Sequence, residues 1–289
     1  LGTATGASCA AVNAILEPEG IMQFCLSPIA TEVTPLIFWA QGPLSEYGNF
    51  MLPWLEDQGI SRIGLVRTAD ATGDAMQGIL DNIVEAAPDS LNLEQTGSET
   101  FDSGATDVQT QLSNLRDTNP ELVVAGASGS NLLPIVQAMN SLAMDVPLLV
   151  AHGSVVHSVL ELVQGQIVPG GMVAGLWWVN VPDDEIPDSV EYKDDIVAFK
   201  TAWEEAYGTP TGHSEGAAFD SANQVFDALR DGAVTGEEIA AFIEDREDFV
   251  GVLGPYTYGP DDHQGPTYPI GLLEFGDDGE FHVGFLAEP

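Results

Sequence analysis

The chain has 289 residues, 44% of them hydrophobic, so it is long enough for one large domain or two ordinary ones with a substantial core. Seven lysines and arginines stand against 45 aspartates and glutamates, which gives a formal net charge of -38. This charge argues against nucleic acid as a partner, because phosphate binding requires basic side chains. No apolar run reaches the roughly 18 residues of a membrane-spanning helix, so we expect no direct membrane insertion within this segment.

The first half of the chain alternates short apolar runs with amphipathic segments. Strands are predicted within 21–26, 60–68, 121–126 and 147–154, and helices within 73–89, 106–120 and 131–146. Strands separated by helices of this length indicate βαβ units. The predicted fold class is therefore α/β, with a parallel sheet and helices on both faces. The apolar rows of the helices are Ala75, Ile79 and Ile83; Met76, Leu80 and Val84; Val108, Leu112 and Leu115; and Leu132, Ile135, Met139 and Leu142.

The second half of the chain does not continue the regular alternation of strands and helices. Residues 170–188 are predicted as a strand that runs into a stretch rich in proline and aspartate, which suits a crossing between domains. Helices are expected at 194–208 and 216–232, and Thr235 with Glu238 predicts a capping box that opens a third. Short strands and turns follow, with a hairpin turn at 277–280. The helical stripes are Ile196, Phe199, Trp203 and Tyr207, then Ala222, Phe226 and Leu229.

The acidic residues are spread along the whole chain and alternate with apolar positions, which indicates an acidic folded surface rather than an acidic tail. The lysines are Lys193 and Lys200. So little lysine beside such an excess of acid is typical of proteins from salt-loving organisms, in which salt screens the self-repulsion. An acidic extracytoplasmic protein is the alternative.

Motifs for phosphate binding and zinc catalysis are missing from the sequence. The chain has no GxxxxGK[ST] phosphate loop and no HExxH, and we predict neither an enzyme nor a cofactor. Asp261, Asp262 and His263 could in principle bind a cation, but an acidic cluster is expected by chance in this composition, and no metal is predicted. Cys9 and Cys25 form either one disulfide or two buried thiols, and the sequence leaves both open.

Five loops rich in small and polar residues follow the predicted strands, at 2–8, 27–31, 67–74, 126–131 and 151–154. In parallel α/β sheets, ligands bind outside the carboxyl ends of the strands. Backbone N–H groups there, together with the helix N-termini that follow, suit a small anionic group. Each residue taken singly fits a helix cap or turn equally well, but five such loops favour a ligand cleft.

Trp177 and Trp178 are neighbours in a predicted strand, so their side chains should point to opposite faces. One of the two would then be in the core and the other could face a ligand, and we include Trp178 among the candidate ligand-binding residues. The alternative is that both are structural.

In the order and spacing of several stretches the chain resembles the type I periplasmic solute-binding proteins of ABC transporters, specifically the branched-chain amino-acid (leucine/isoleucine/valine) group. These stretches are 1–8, 17–34, 62–76, 101–126, 212–229 and 248–262. The resemblance covers nearly the whole chain. It implies a two-lobed fold with three hinge crossings, near 40–45, 176–182 and 254–259.

The lobes implied by the resemblance are 1–44 with 180–255, and 45–179 with 256–289. Members of the family usually have two further strand-helix units before the position of Leu1. These units are missing from the sequence before Leu1, and two alternatives account for their absence. Either the chain is a fragment that other residues or another chain complete, or the first lobe has been cut down. In the second case the sheet would expose an unpaired edge.

The resemblance also implies a ligand site. The first loop carries Gly6, where the family has a serine, with Ala7 and Ser8 beside it, and the second carries Ile29 and Thr31. In lobe two, His152 stands where the amino-acid binders have an ammonium-binding acid, and Thr72 and Ser128 stand near their aromatic contacts. An ammonium without a carboxylate partner is poorly held, so these substitutions favour another small polar ligand.

The function implied is an extracytoplasmic protein, periplasmic or extracellular, that captures a small polar molecule in an interlobe cleft and delivers it to an ABC permease. Amino-acid-like compounds, organic acids and amides are the expected ligand classes. A lipid anchor outside this segment would suit such a protein. A ligand-sensing domain of a receptor, or a surface-assembly protein that retains the fold, are the alternatives.

Overall fold

The computed structural model describes residues 1–4, 6–29, 33–43, 46–166, 168, 170–247, 249–267, 269–276 and 278–287. By its internal contacts the chain divides into two compact units. Unit 1 comprises Leu1–Glu46, Trp177–Val179 and Ile186–Tyr268, and unit 2 comprises Tyr47–Leu176, Asn180–Glu185 and Pro269–Pro289. The α/β prediction is confirmed.

Unit 2 is built on one sheet of the strands β3 (Arg62–Thr68), β4 (Glu94–Phe101), β5 (Leu122–Gly126), β6 (Leu148–Val150), β7 (Met172–Gly175), β10 (Gly271–Phe275) and β11 (Phe281–Leu286). Their order in the sheet is β11-β10-β7-β6-β5-β3-β4. The strands from β3 to β7 are mutually parallel, and β10 and β11 complete one edge antiparallel. The helices are α2 (Tyr47–Gln58), α3 (Ala71–Ala86), α4 (Gln109–Asp117), α5 (Leu132–Ser141) and α6 (His157–Val163).

Helices cover both faces of this sheet. Gly64 in β3 faces Leu115 of α4. Arg67, three residues further along β3, points to the opposite face of the sheet, where its partner Gly126 in β5 faces Met76 of α3. In α3 the apolar rows predicted from the sequence supply the buried side chains, which are Met76, Ile79, Leu80 and Ile83. The strand β4 was not predicted, because its polar residues show little apolar alternation at the sheet edge.

Unit 1 contains α1 (Gly6–Leu16), α7 (Lys193–Tyr207), α8 (His213–Asp231) and α9 (Gly236–Glu244). Its strands are β1 (Gln23–Cys25), β2 (Ile37–Trp39), β8 (Val250–Gly251) and β9 (Gly254–Pro255). β1 and β2 pair in parallel, and β8 and β9 pair antiparallel. Glu238 and Thr235 form the predicted capping box of α9, with Glu238 N donating to Thr235 Oγ1 at 3.2 Å.

Residues 256–267 pack within unit 1, whereas the predicted lobes placed 256–289 together. The Tyr258 hydroxyl donates to the Trp39 carbonyl at 2.8 Å, and His263 Nδ1 donates to the Ile37 carbonyl at 2.7 Å. The ring of His263 also stacks on Phe38, with 3.9 Å between centroids. These contacts attach the segment to β2.

Three details of the sequence interpretation are wrong. Tyr207, predicted on the apolar stripe of α7, is 67% exposed. The helix α8 does not bury Phe226 and Leu229, which are 51% and 46% exposed. Its buried face is instead small and polar: His213, Gly216, Ala217, Asp220, Ser221, Gln224 and Ala228. The tryptophans at 177 and 178 do not lie in a strand, because β7 ends at Gly175 and Trp178 opens a short 3-10 turn.

Candidate functional site

The loop after β3 is organised by Asp70. Its carboxylate accepts hydrogen bonds from the Thr68 hydroxyl at 2.8 Å and from the backbone N–H groups of Thr72 and Gly73 at 3.0 and 3.2 Å. This caps the N-terminus of α3 and places the half-buried Thr72 in its first turn. Gly73 is required there, since a Cβ would lie 1.9 Å from the Thr68 carbonyl oxygen.

The loops after β5 and β6 pack directly against each other. The Ser154 hydroxyl donates to the Ala127 carbonyl at 3.2 Å. A Cβ on Gly153 would lie 2.8 Å from Ser128 Oγ, so the absence of a side chain lets the two loops approach. Asn131 Nδ2 donates to the Ser128 carbonyl at 3.1 Å and holds the turn that precedes α5. Ser128 is thereby brought beside the loop that contains His152.

His152 lies at the start of the 3-10 turn His152–Ser154 and is 1% exposed. Its Nε2 is 3.2 Å from the Gly175 carbonyl oxygen, and its Nδ1 is 2.7 Å from the hydroxyl of Tyr47. Both ring nitrogens thus have partners inside unit 2. Tyr47 was not recognised from the sequence, because nothing local marks it as the partner of a residue 105 positions away.

The imidazole of His152 is neutral at ordinary pH. Burial lowers its pKa to about 4, and the hydrogen bond to the Gly175 carbonyl opposes this only in part. Burial also raises the pKa of the Tyr47 hydroxyl, which keeps that group protonated. A neutral ring cannot replace a carboxylate as the partner of a ligand ammonium.

In unit 1, the predicted loops at 2–8 and 27–31 meet at Gly6 and Ile29. A Cβ on Gly6 would lie 2.9 Å from Ile29 Cβ, so the structure presents backbone rather than a side chain at this position. Ile29 N donates to Ser27 Oγ at 3.1 Å, and the Ser8 hydroxyl is 2.5 Å from Thr3 Oγ1. The predictions for Thr31 and for the side chain of Ala7 lie outside the described residues.

Cys9 and Cys25 form a disulfide, which decides the alternative that the sequence left open. The bond joins α1 to the last residue of β1, and both cysteines are fully buried with Ile37 and Trp39. The N-terminal end of α1, which carries Gly6 and Ser8, is therefore tied covalently to the strand that leads to Ile29.

Trp178 is buried, with 9% of its surface exposed, and Trp177 is 0% exposed. The structure therefore places both tryptophans largely within protein. A contact between Trp178 and a ligand stays a prediction.

A buried carboxylate in unit 1 was also not predicted. Asp220 accepts hydrogen bonds from Val252 N at 2.9 Å, Leu253 N at 3.0 Å and the Tyr256 hydroxyl at 3.0 Å. Burial raises its pKa to about 6, and these three hydrogen bonds oppose the rise. The same hydroxyl of Tyr256 lies 3.3 Å from the Ala40 carbonyl oxygen, so its single proton is shared between the two acceptors, with Asp220 the nearer. An aspartate among the small residues of a helix was the signal that could have revealed this anchor.

Across the described residues, no group of three or more histidine, cysteine, aspartate or glutamate side chains is arranged to hold a metal ion. His263, once a cation candidate, binds the Ile37 carbonyl through Nδ1 and Glu244 through Nε2, at 2.7 and 3.0 Å. None of the helices in the described part of the chain has the length and apolar character needed to cross a membrane.

The sequence profile of the periplasmic binding protein family matches residues 1–280, and the chain belongs to this family. It is a type I periplasmic ligand-binding protein. The family consists of non-enzymatic binding proteins, and it implies an extracytoplasmic location. No curated protein sequence matches the chain.

Solved structures share the fold at low identity. A solute-binding protein of an ABC transporter from Rhodopseudomonas palustris, in complex with benzoate, is 17% identical, with a TM-score of 0.80 over 100% of this chain and 77% of that one. A leucine-binding protein from Thermotoga maritima is 16% identical, with a TM-score of 0.76 over 100% and 79%. An extracellular ligand-binding receptor from Rhodopseudomonas palustris HaA2 is 19% identical, with a TM-score of 0.80 over 96% and 79%.

Proposed function

We propose that the protein captures a small polar solute and delivers it to an ABC permease. The observation that carries this proposal is the set of loops after β3, β5 and β6 in unit 2. All three leave the carboxyl edge of a parallel sheet, where α/β proteins bind ligands, and two of them pack together through Ser154, Ala127, Gly153 and Ser128.

The proposed ligand class is an organic acid or an amide, with amino-acid-like compounds as the second choice. The hydroxyl groups of Thr72 and Ser128 suit polar atoms of a ligand, because the backbone N–H groups of Thr72 and Gly73 already donate to Asp70. His152 is neutral and already bound to Tyr47 and Gly175, so it offers no negative charge to an ammonium group. Benzoate and leucine, the ligands named for two proteins of the same fold, are the first compounds to test.

We propose Thr72 and Ser128 as ligand contacts in unit 2, and Gly6, Ser8 and Ile29 in unit 1. Ala7, Thr31 and Trp178 are proposed as further ligand contacts, and His152 as a residue of the site whose ring nitrogens bind Tyr47 and Gly175. The two-lobed organisation with three crossings and the partnership with a permease are likewise proposals. They are supported by the family and by the ABC transporter named for the benzoate complex.

Calorimetric and thermal titrations test the function. We expect one compound class among benzoate, benzamide, leucine and small carboxylates to raise the melting temperature in about 2 M KCl. A ligand at a thousand times its Kd stabilises the folded state by about 4 kcal/mol. Binding that is absent for every class, in a protein that melts cooperatively, would contradict solute capture.

Variants locate the site. Thr72→Val removes a hydroxyl while leaving the backbone N–H that Asp70 accepts, and Ser128→Ala removes the second hydroxyl. We expect either change to weaken binding by about tenfold, the effect of one lost hydrogen bond. Thr110→Val, on an exposed position of α4, is the matched control and should leave the affinity unchanged.

A further inference from the structure

Tyr47 is attached to His152 at two points. Its hydroxyl lies 2.7 Å from Nδ1 of the ring and 3.5 Å from the backbone nitrogen of the same residue. The Gly175 carbonyl can only accept a hydrogen bond, so Nε2 of His152 carries the proton. In the neutral ring Nδ1 is then an acceptor, and the Tyr47 hydroxyl donates to it while accepting from the backbone N–H.

Packing leaves the ring a single orientation. The Tyr47 ring meets His152 edge to face at 5.3 Å between centroids, and Phe50 lies at 6.5 Å. A Cβ on Gly175 would stand 2.7 Å from Nε2, so β7 approaches the ring as closely as a glycine allows. Tyr47 and His152 are each 1% exposed, and the hydrogen bonds between them are therefore shielded from water.

Fixing His152 also fixes the turn that follows it. Ser154 N donates to the Ala151 carbonyl at 2.9 Å, and Val155 N donates to the carbonyl of His152 at 2.8 Å. Gly153 and Ser154 then lie against Ser128 and Ala127 of the neighbouring loop. The position of the loop 151–154 is thus set by α2, through Tyr47, and by β7, through Gly175.

We propose that Tyr47 and His152 are positioning residues that hold the loop 151–154 in its ligand-binding arrangement, with His152 acting as a neutral Nε2–H imidazole. The proposal rests on the proposed function for its effect on affinity. Its structural part stands on the hydrogen bonds alone. His152 in this role acts through the loop, and the direct ligand contacts fall to the residues around it.

Amide exchange of the intact protein tests the structural part without a ligand. Tyr47→Phe removes the hydroxyl alone, and we expect the amides of Ser154 and Val155 to exchange at least about tenfold faster. Tyr258→Phe removes another buried tyrosine hydroxyl, in unit 1, and should leave these two amides unchanged. Unchanged protection in Tyr47→Phe would overturn the proposal.

The tautomer supplies a second readout. Long-range proton-nitrogen spectra at pH 7 should show His152 with a protonated Nε2 and an unprotonated Nδ1. His282 serves as the internal reference for a protonated ring on acidification, because its hydrogen bond to Glu185 raises its pKa. A proton on Nδ1 of His152 would exclude the arrangement proposed.

Two nearly isosteric substitutions test the effect on affinity. His152→Asn places an amide oxygen near Nδ1, where it can accept from Tyr47, whereas His152→Leu has the same shape and no acceptor. We expect the asparagine variant to bind within about threefold of wild type and the leucine variant about tenfold more weakly. Equal affinities would refute the positioning role. If no compound binds wild type, the proposed function fails, while the exchange and tautomer measurements still decide the structural proposal.

Discussion

The disulfide between Cys9 and Cys25 should contribute measurably to the stability of unit 1. The bond closes a segment with a sequence separation of 16. Cross-linking a loop of this length removes conformational entropy from the unfolded chain, which stabilises the folded state by about 3 kcal/mol. We therefore expect Cys9→Ala with Cys25→Ala to lower the free energy of unfolding by about that amount, and the melting temperature by about 10 °C.

Urea unfolding in about 2 M KCl, followed by tryptophan fluorescence, is the assay. Because the bond ties α1 to β1, amides at the start of α1 should also lose protection in the double variant. Wild type reduced under native conditions is the control, since its two thiols still fill the buried cluster with Ile37 and Trp39.

Comparing reduced wild type with the double variant distinguishes the effect of the cross-link on stability from the effect of side-chain packing. Reduced wild type and the double variant should lose similar stability if the constraint on the unfolded chain is the cause. Equal urea midpoints for the oxidised wild type and the double variant, with the disulfide confirmed by mass, would refute the reasoning. A loss seen in the double variant and absent from reduced wild type would assign the effect to packing.

Three further predictions concern pH, backbone space and salt. Burial lowers the pKa of His152 from 6.5 to about 4, so between these values the unfolded chain binds a proton that the folded chain does not. Stability therefore falls as the pH drops through this window, by up to about 3 kcal/mol, and urea midpoints of His152→Asn should fall less; parallel curves would contradict this. Gly73→Ala should cost about 3 kcal/mol by urea unfolding, because its Cβ would lie 1.9 Å from the Thr68 carbonyl oxygen, whereas Gly78→Ala, with nothing within 4 Å, should be neutral or stabilising. Raising KCl from about 0.1 to 2 M should raise the melting temperature, because the net charge of -38 repels itself until it is screened; a flat response would count against the acidic-surface argument.

The periodicity of the sequence located the elements of unit 2 from β3 to β6, with the exception of β4. In α3 the predicted rows supply the buried Met76, Ile79, Leu80 and Ile83, because the helix covers one face of an apolar sheet. The same reasoning failed for α8, whose apolar Phe226 and Leu229 are exposed. There the buried carboxylate of Asp220 accepts hydrogen bonds from the N–H groups of Val252 and Leu253. The small residues beside Asp220 in α8 allow the segment that contains Val252 and Leu253 to approach the helix closely.

The candidate site was predicted only in outline. The sequence placed small polar loops after the strands, and the loops after β5 and β6 do meet, through Ser128 and Gly153. It gave no sign of Tyr47, because a hydroxyl that binds a ring 105 positions away leaves no local pattern. The family resemblance therefore predicted His152 as a ligand residue, although both of its ring nitrogens bind protein groups.

By itself the sequence determined the α/β class and the elements β3, α3, α4, β5, α5 and β6 of unit 2, because hydrophobic periodicity is a local property of the chain. Only the tertiary structure decided that Cys9 bonds to Cys25, that α8 buries its polar face, and that Tyr47 holds His152. These outcomes depend on which distant segments meet, and burial then sets the protonation state and the hydrogen-bond partners of each group.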